Sequence, residues 1–236
     1  MNKYSAYLNP RLTSQNIDLY VIRKAILTTV EDASCQFRGR FLDVGAGNQP
    51  YRELIESNSQ VSEYVPLDLH DNGAYEDAKY TWDGVEMPFD NDEFDSAMAT
   101  EVLEHCPNPD ITLGEIHRVL KPGAYFLFTV PFVWPLHDCP HDEYRYTPWS
   151  LERHLASAGF DEISLWPTGG WDATLAQVLG LWVRRRPMSK TKRNISSWIF
   201  RPLIKRLIKG DRPEKSFKNT QYLMPGIAGS ARTTRK

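Results

Sequence analysis

The chain has 236 residues, 41% hydrophobic, 12% aromatic and 25% charged, with a formal net charge of −2. That is apolar material for one sizeable core with additions, and it excludes a chain disordered throughout. No apolar run reaches the ~18 residues that a membrane-spanning helix needs, which excludes a channel or transporter built on such helices.

The three cysteines, Cys35, Cys106 and Cys139, have no C-x-x-C spacing, so a reducing compartment is expected and a zinc site is not. Met1-Asn2-Lys3-Tyr4 leads into polar sequence, not an apolar leader, and the expected location is cytoplasmic. The net charge hides an asymmetry. Residues 184–215 hold twelve Lys/Arg and two acids, +10, which leaves −12 for the rest. An acidic body with one basic segment points to a localised anionic partner, and no nucleic acid is expected.

Residues 1–16 carry aromatics and an Asn9-Pro10 turn signal. Asn16 is placed to cap a helix over 17–30, where Leu19, Ile22, Ile26 and Val30 share an apolar face suited to a sheet edge. The organising stretch follows: Arg40-Phe41-Leu42-Asp43-Val44-Gly45-Ala46-Gly47-Asn48. An apolar run into two glycines one residue apart predicts a buried strand, a tight turn and a helix through 51–56. A strict dinucleotide loop would carry glycine at 50, where Pro50 stands. Asp43 would repel a pyrophosphate and accept from a cationic amino-acid moiety. The loop formed by Asp43, Gly45, Ala46, Gly47 and Asn48 therefore favours a ligand with an adenosine end and a positive end, as S-adenosylmethionine has.

Glu63-Tyr64-Val65-Pro66-Leu67-Asp68 predicts a second strand, with Pro66 awkward inside it. It ends in an acid about 20 residues past the glycines, where a doubly wound fold holds ribose hydroxyls. Asp68, with Leu69 beside it, is the candidate. Residues 72–80 read as loop, 81–85 as a short strand and turn, and 94–100 as the strand crossing the sheet centre. Glu101 and His105 then fall at the ligand edge of an open sheet. Pro109 opens a helix that Lys121-Pro122-Gly123 stops, with Ile111, Leu113, Ile116, Val119 and Leu120 as its buried side. Residues 125–130 read as a fully buried strand.

The loop after it, 131–147, holds His137, His141, Asp138, Asp142, Glu143, Arg145 and several aromatics. That is a dense store of groups for binding a hydroxylated substrate and removing a proton. His137 with Asp142 is the first candidate base, and His141 the second. Trp134, Tyr144, Arg145 and Tyr146 are candidate acceptor contacts. An Asp142–Arg145 ion pair that shapes the loop is compatible with those roles. Thr147 and Pro148 start a helix to Ser157, and 163–166 is the sixth strand.

Further on, Trp171, Leu175, Val178, Leu179 and Trp182 share one helical face. Ile195, Trp198, Ile199, Leu203, Leu207 and Ile208 form a second stripe beside Arg201, Lys205, Arg206 and Lys209, with Pro202 expected to kink or split the helix. The region 184–209 has two readings. One is an interfacial helix on an anionic membrane surface. The other is a helix docked on the body or on the second subunit of a homodimer. Residues 218–224 are expected to be the last strand and 226–236 a frayed tail.

Five segments in order carry a family resemblance: Leu42-Asp43-Val44-Gly45-Ala46-Gly47, Asp83-Gly84-Val85-Glu86-Met87-Pro88-Phe89, Phe94-Asp95, Glu101-Val102-Leu103-Glu104-His105 and Arg118-Val119-Leu120-Lys121-Pro122-Gly123-Ala124. Over roughly residues 40–165 the chain resembles class I S-adenosylmethionine-dependent methyltransferases of the type-11 branch. The departure is the run 48–51, where many relatives carry a third glycine.

The resemblance implies an α/β, doubly wound, mostly parallel seven-stranded sheet with an antiparallel last strand. Read in order, the chain is expected to divide into a helical cap (1–37), a cofactor-binding core (38–168), a basic amphipathic helical insertion (169–215) and a last strand with a tail (216–236). The resemblance further implies that Asp83 accepts from the adenine amino group and that Gly84 and Val85 line the adenine, with Met87-Pro88-Phe89 near that face. A leading segment with Tyr4, Tyr7 and Arg11 would cover the pocket. The pattern His137-x-x-Pro140-x-Asp142-x-x-Arg145-Tyr146-Thr147 is similar to one in type-11 members associated with bacterial surface glycans. That implies O-methylation of a sugar hydroxyl in a surface polysaccharide or a lipid-linked precursor. Methylation of a small aromatic, quinone or amine metabolite stays open beside it, as does a non-catalytic cofactor-binding protein on the same fold.

Overall fold

A computed structural model describes residues 5–69, 80–217 and 221–234. Seven strands form one sheet: β1 (Arg38–Val44), β2 (Gln60–Leu69), β3 (Tyr80–Trp82), β4 (Phe94–Thr100), β5 (Leu120–Pro131), β6 (Phe160–Pro167) and β7 (Gly226–Thr233), in the order β3-β2-β1-β4-β5-β7-β6. The pairs β1–β2, β1–β4, β2–β3 and β4–β5 are parallel. β7 runs antiparallel between β5 and β6. This is the doubly wound sheet with one reversed strand that the sequence led us to expect. The expected loop over 72–80 lies outside the described residues except for Tyr80, the first residue of β3.

After a short leading helix, α1 (Ser5–Leu8), helices cover both faces. On one face α2 (Tyr20–Ala33) and α3 (Arg52–Asn58) pack Ile22, Ile26, Val30 and Ile55 onto Phe41, Tyr64, Met98 and Leu127. On the other, α4 (Pro109–Val119) and α5 (Pro148–Ser157) pack Leu113, Ile116, Leu151 and Leu155 onto Leu42, Phe126 and Phe128. Alternate residues of each central strand thus serve opposite cores, so those strands read as unbroken apolar runs. Ile111 is exposed, not on the buried side of α4. Pro66 is accommodated because β3 pairs with β2 only from Leu67 onward. Asn16 does not cap α2 with its side chain. Its Oδ1 instead accepts from Thr13 N and Oγ1 at 2.8 and 2.7 Å, and closes the turn before the helix.

Two further differences concern the C-terminal third. The last strand is not 218–224; residues 218–220 lie outside the described set, and β7 occupies 226–233, within the expected tail. Its sequence, Gly-Ile-Ala-Gly-Ser-Ala-Arg-Thr, has weak strand propensity because its neighbours fill the space. A Cβ on Gly229 would stand 2.4 Å from the Phe128 ring and 2.6 Å from Leu165. Pro202 does not split the second stripe, since α7 (Lys190–Gly210) is one helix that contains it.

α6 (Trp171–Arg185) and α7 form a hairpin inserted between β6 and β7. Its inner contacts are with Ile17 and Val21 through Ala173, Ala176, Val183 and Ile204. The side of α6 that faces inward is small and polar, including Thr174, Gln177 and Gly180. The apolar stripe faces out: Trp171, Leu175, Val178 and Trp182 on α6, and Ile195, Trp198, Ile199 and Leu203 on α7, with Trp198 78% exposed. Leu179, Leu207 and Ile208 of the same two stripes are instead half-buried against the cluster that contains Ile17 and Val21, so the stripes dock on the body in part. No described helix is long and apolar enough to cross a membrane.

Gly229→Ala should lower stability by ~1–3 kcal/mol, the cost of overpacking a filled core. Urea unfolding measures it. An unchanged midpoint would mean that Phe128 and Leu165 have room to move.

Candidate active site

The parallel strands β1, β4 and β5 end on one edge of the sheet, and the candidate residues converge there. β1 stops at Gly45, which holds φ +66°. A Cβ at that position would meet Val102 at 2.5 Å, so only glycine lets the chain turn there. The turn is tied to the end of β2. Gly45 N and Ala46 N donate to Leu67 O at 2.9 and 3.1 Å, and Gly47 N donates to Asp68 Oδ2 at 2.9 Å. The other Asp68 oxygen accepts from Leu69 N at 2.8 Å. Asp68, chosen as a ribose ligand, thus also clasps the glycine loop in which Asn48 lies. Next to it, Asp83 Oδ1 accepts from Val85 N and Glu86 N at 2.8 and 3.0 Å, which closes an exposed turn through Gly84. Those bonds hold the Asp83 carboxyl below its ordinary range. Leu69 and Val85 expose apolar surface beside this turn. Met87 and Phe89 do not belong to that surface. Both are buried in the core, and Met87 N donates to Glu115 on α4.

Asp43 and Glu104 are buried at this edge, and Glu101 is half-buried with its Oε1 shielded from solvent. Burial pushes Asp43 up to about 7, against the hydrogen bond donated by the Tyr64 hydroxyl and with a contribution from the Asp68 charge. Burial likewise pushes Glu101 up to about 7, opposed by Thr129 and Arg145. Glu101 sits at φ +54°, a strained value for a non-glycine residue and one frequent at functional sites. Glu104 is fully buried in the 3-10 turn Leu103–His105, and neither carboxylate oxygen has a hydrogen-bond partner among the described residues. Burial, then the Glu101 charge, holds it well above the ordinary carboxyl value. Tyr51, at the start of α3, is buried next to the Asp43 and Glu101 charges, and Tyr7 meets its ring edge-on at 6.3 Å. Tyr7 of the leading segment thus stands against Tyr51 at this edge, whereas Tyr4 lies outside the described residues.

The loop after β5 folds over the same edge. Glu143 N and Tyr144 N donate to Glu104 O at 2.9 and 3.1 Å, which ties the loop to the 3-10 turn. Asp142 is gripped by Arg145 through both oxygens at 2.6 and 2.8 Å, and it accepts from His137 N at 3.1 Å. These bonds, the Arg145 pair first, hold its carboxyl far below the usual range. His137 Nδ1 lies 3.2 Å from Asp142 Oδ2, so the candidate pair is adjacent and the shaping ion pair is present with it. His105 Nδ1 is 3.0 Å from the His141 carbonyl, and the His105 and His137 rings meet edge to face at 4.8 Å. Burial lowers the His105 pKa. His141 contributes that carbonyl while its ring side is exposed to solvent.

Trp134, Asp142, Tyr144 and Arg145 line an open depression of about 400 Å³ with Pro135, Leu136 and Glu143. Tyr146 is not brought to it. Its ring is buried and its hydroxyl donates to Leu103 O at 2.8 Å, so it props the loop from beneath. The Tyr144 hydroxyl is likewise used on Pro107 O at 3.2 Å. Sequence reasoning missed Glu104 and Tyr51. Glu104 stood in the quoted Glu101–His105 segment, where a second acid three residues after the first was the available signal.

Asp43 is protonated more readily in the folded chain than in the unfolded one. Its raised value costs stability as pH climbs from about 4 toward about 7, and the cost is complete above that. Asp43→Asn keeps an acceptor for Tyr64 and removes this cost. Relative to the parent, the variant should gain on the order of a few kcal/mol between pH 5 and pH 8 without cofactor. A pH-independent difference in thermal unfolding would contradict the assignment.

Residues 42–128 match the family described as a methyltransferase domain, of type 11. A fatty-acid O-methyltransferase of Mycolicibacterium smegmatis is 30% identical over 134 residues, which cover 53% of this chain and 45% of that protein. The match thus spans under half of that relative's length. Among solved structures, phosphoethanolamine N-methyltransferase 2 of Haemonchus contortus, in complex with S-adenosyl-L-methionine, superposes with a TM-score of 0.56 at 13% identity, covering 100% of this chain and 61% of that one. A putative methyltransferase of Bacillus halodurans gives 0.53 at 18%, covering 89% and 98%. At such identities the likeness concerns the fold. The fold is the one these methyltransferase structures share, and residues 42–128 are the part of the chain that matches the methyltransferase domain family.

Proposed function

We propose that this chain is an S-adenosylmethionine-dependent O-methyltransferase acting on a sugar hydroxyl of a surface polysaccharide or lipid-linked glycan precursor. The observation that carries the cofactor reading is the clasp of the 45–47 loop by Asp68, set over the buried carboxyl of Asp43. Gly45 makes a turn that a Cβ would block against Val102, and Asp43 and Glu101 are acids at the same edge that a cationic amino-acid moiety would pair with. In this reading Asp43, Glu101 and the loop amides hold the amino-acid end, Asp68 and Leu69 the ribose, and Asp83, Gly84 and Val85 the adenine. His105 lies beside the amino-acid end. When bound, S-adenosylmethionine supplies a methyl already activated on a sulfonium, so the protein's main work is alignment.

His137 accepts the proton of the acceptor hydroxyl. Asp142 orients the imidazole, and Arg145 fixes Asp142. Trp134 and Tyr144 border the acceptor's approach.

The α6–α7 hairpin supports an acceptor at a membrane surface. It emerges between β6 and β7 at the sheet edge where β5 ends. Arg185 lies over Trp134 at 5.9 Å, so hairpin and acceptor loop adjoin. The outward stripe of tryptophans and aliphatics flanked by Lys and Arg fits an anionic bilayer interface. A second reading, a lipophilic small-molecule acceptor, is favoured by the similarity to a fatty-acid O-methyltransferase.

Calorimetric titration with S-adenosylhomocysteine tests the cofactor. Binding is expected, weakened by ~1–3 kcal/mol in Asp68→Ala, the scale of hydrogen bonds to a charged group. No binding would refute the reading. His137→Ala should keep that binding and lower turnover on a lipid-linked glycan fraction by ~10²–10⁴, and full activity would remove His137 from the mechanism. The protein should sediment with phosphatidylglycerol vesicles at low salt and release at high salt, and Trp198→Ser combined with Lys205→Glu should weaken sedimentation. Indifference of the parent protein to these vesicles would refute the membrane reading.

A further inference from the structure

We propose that Glu104, His105 and His137 form a divalent-cation site at the acceptor side of the pocket. One ligand atom from each of the three lies within 4.8 Å of the others. His105 Nε2 and Glu104 Oε1 are 3.7 Å apart. Glu104 supplies an independent observation. It is wholly buried, both oxygens lack a hydrogen-bond partner among the described residues, and buried polar atoms of that kind almost always have one. Its backbone gives the reason it is held there, because Glu104 O accepts from Glu143 N and Tyr144 N where the two segments meet.

The His105 imidazole is held from the far side, and the His137 imidazole lies beside a carboxylate to which it makes no hydrogen bond. His105 Nδ1 faces the His141 carbonyl at 3.0 Å, and His137 Nδ1 faces Asp142 Oδ2 at 3.2 Å. A carbonyl or carboxylate on the outer nitrogen is how metal-binding histidines are oriented, with the other nitrogen left for the ion. Arg145 then holds Asp142, so the support extends one residue further. The sequence did not signal a metal because the donors come from two segments, 104–105 and 137, with no ligand spacing in either.

Two imidazoles and one carboxylate suit Zn²⁺, Co²⁺, Fe²⁺ or Mn²⁺ better than Mg²⁺ or Ca²⁺. Three protein ligands leave a position for an oxygen of the acceptor, a role that rests on the methyltransferase reading, whereas the site itself does not. There the acceptor O–H bond breaks with its electron pair kept on the metal-bound oxygen and its proton passing to water. His137 would then act on the acceptor through the ion and not as a free base.

Titration of the intact protein with Co²⁺, read by visible d–d absorption, tests this. One ion per chain is expected, with bands of nitrogen and oxygen ligands and no thiolate charge-transfer band from the exposed Cys35 or Cys139. Glu104→Gln should lower affinity by more than about 10-fold, and Asp142→Asn, which loosens His137, by ~10–100-fold. His105→Gln provides a second ligand variant should Glu104→Gln fail to fold, judged by circular dichroism. No Co²⁺ binding by the parent protein, a thiolate band, or unchanged affinity in the folded ligand variants would overturn the proposal. S-adenosylhomocysteine titration of the same samples separates the two ideas: its failure with Co²⁺ binding intact would refute the methyltransferase reading and leave the cation site standing.

Discussion

Burying a carboxylate without a cation is expensive, and along one edge this fold does it twice in full and once in part. Asp43 lies under the glycine loop, Glu101 at the end of β4, and Glu104 one turn later. Arg145 lies close enough to favour the charged forms of Glu101 and Glu104, yet both its oxygen contacts to carboxylate go to Asp142. The edge is therefore prepared for positive charge from outside the chain. A cofactor ammonium near Asp43 and Glu101, and a metal ion on Glu104, would each supply it at a different point. Strain at Glu101 and the tight turn at Gly45 belong to the same arrangement, in which local stability is given up where a ligand restores it.

The hairpin α6–α7 shows the opposite economy. It places small and polar residues inward and tryptophans outward, the inverse of an ordinary surface helix. Gly180 makes the inner approach close: a Cβ there would stand 2.2 Å from Ile17 O. The hairpin is inserted where the chain leaves β6 and before it enters β7. Pro225 O accepts from Phe132 N and Val133 N at 2.9 Å, which binds the end of the insertion to the start of the acceptor loop. The hairpin's outward face and the 131–147 loop are thus joined by backbone hydrogen bonds, and this juxtaposition brings the basic segment of the sequence next to the loop.

Much of the sheet was legible because its central strands are apolar throughout and end in informative residues. Residues 94–100 form β4 as read, and the Asp68 acid falls beside the glycine loop as its spacing implied. β7 was not legible, since Gly229 and its small neighbours answer to Phe128 and Leu165, residues distant in sequence. Tyr146 and Met87 looked like ligand contacts by position, and packing claimed both for the core. Glu104 was passed over because its significance lies in lacking a partner, which no sequence pattern displays. The outward stripe was visible as periodicity, but the direction it faced was not, as periodicity gives a face without saying what meets it.

The most direct test of the central claim is the proton balance of cofactor-product binding. S-adenosylhomocysteine carries the same ammonium group, and calorimetry near pH 7 in buffers of different ionisation enthalpy counts the protons exchanged. With Asp43 and Glu101 both held near 7 in the free protein, binding should release protons as those carboxyls ionise against the ammonium, and affinity should rise from pH 6 to pH 8. Binding with no proton exchange and no pH dependence over that range would contradict the claim that the edge is built around buried acids awaiting a cation.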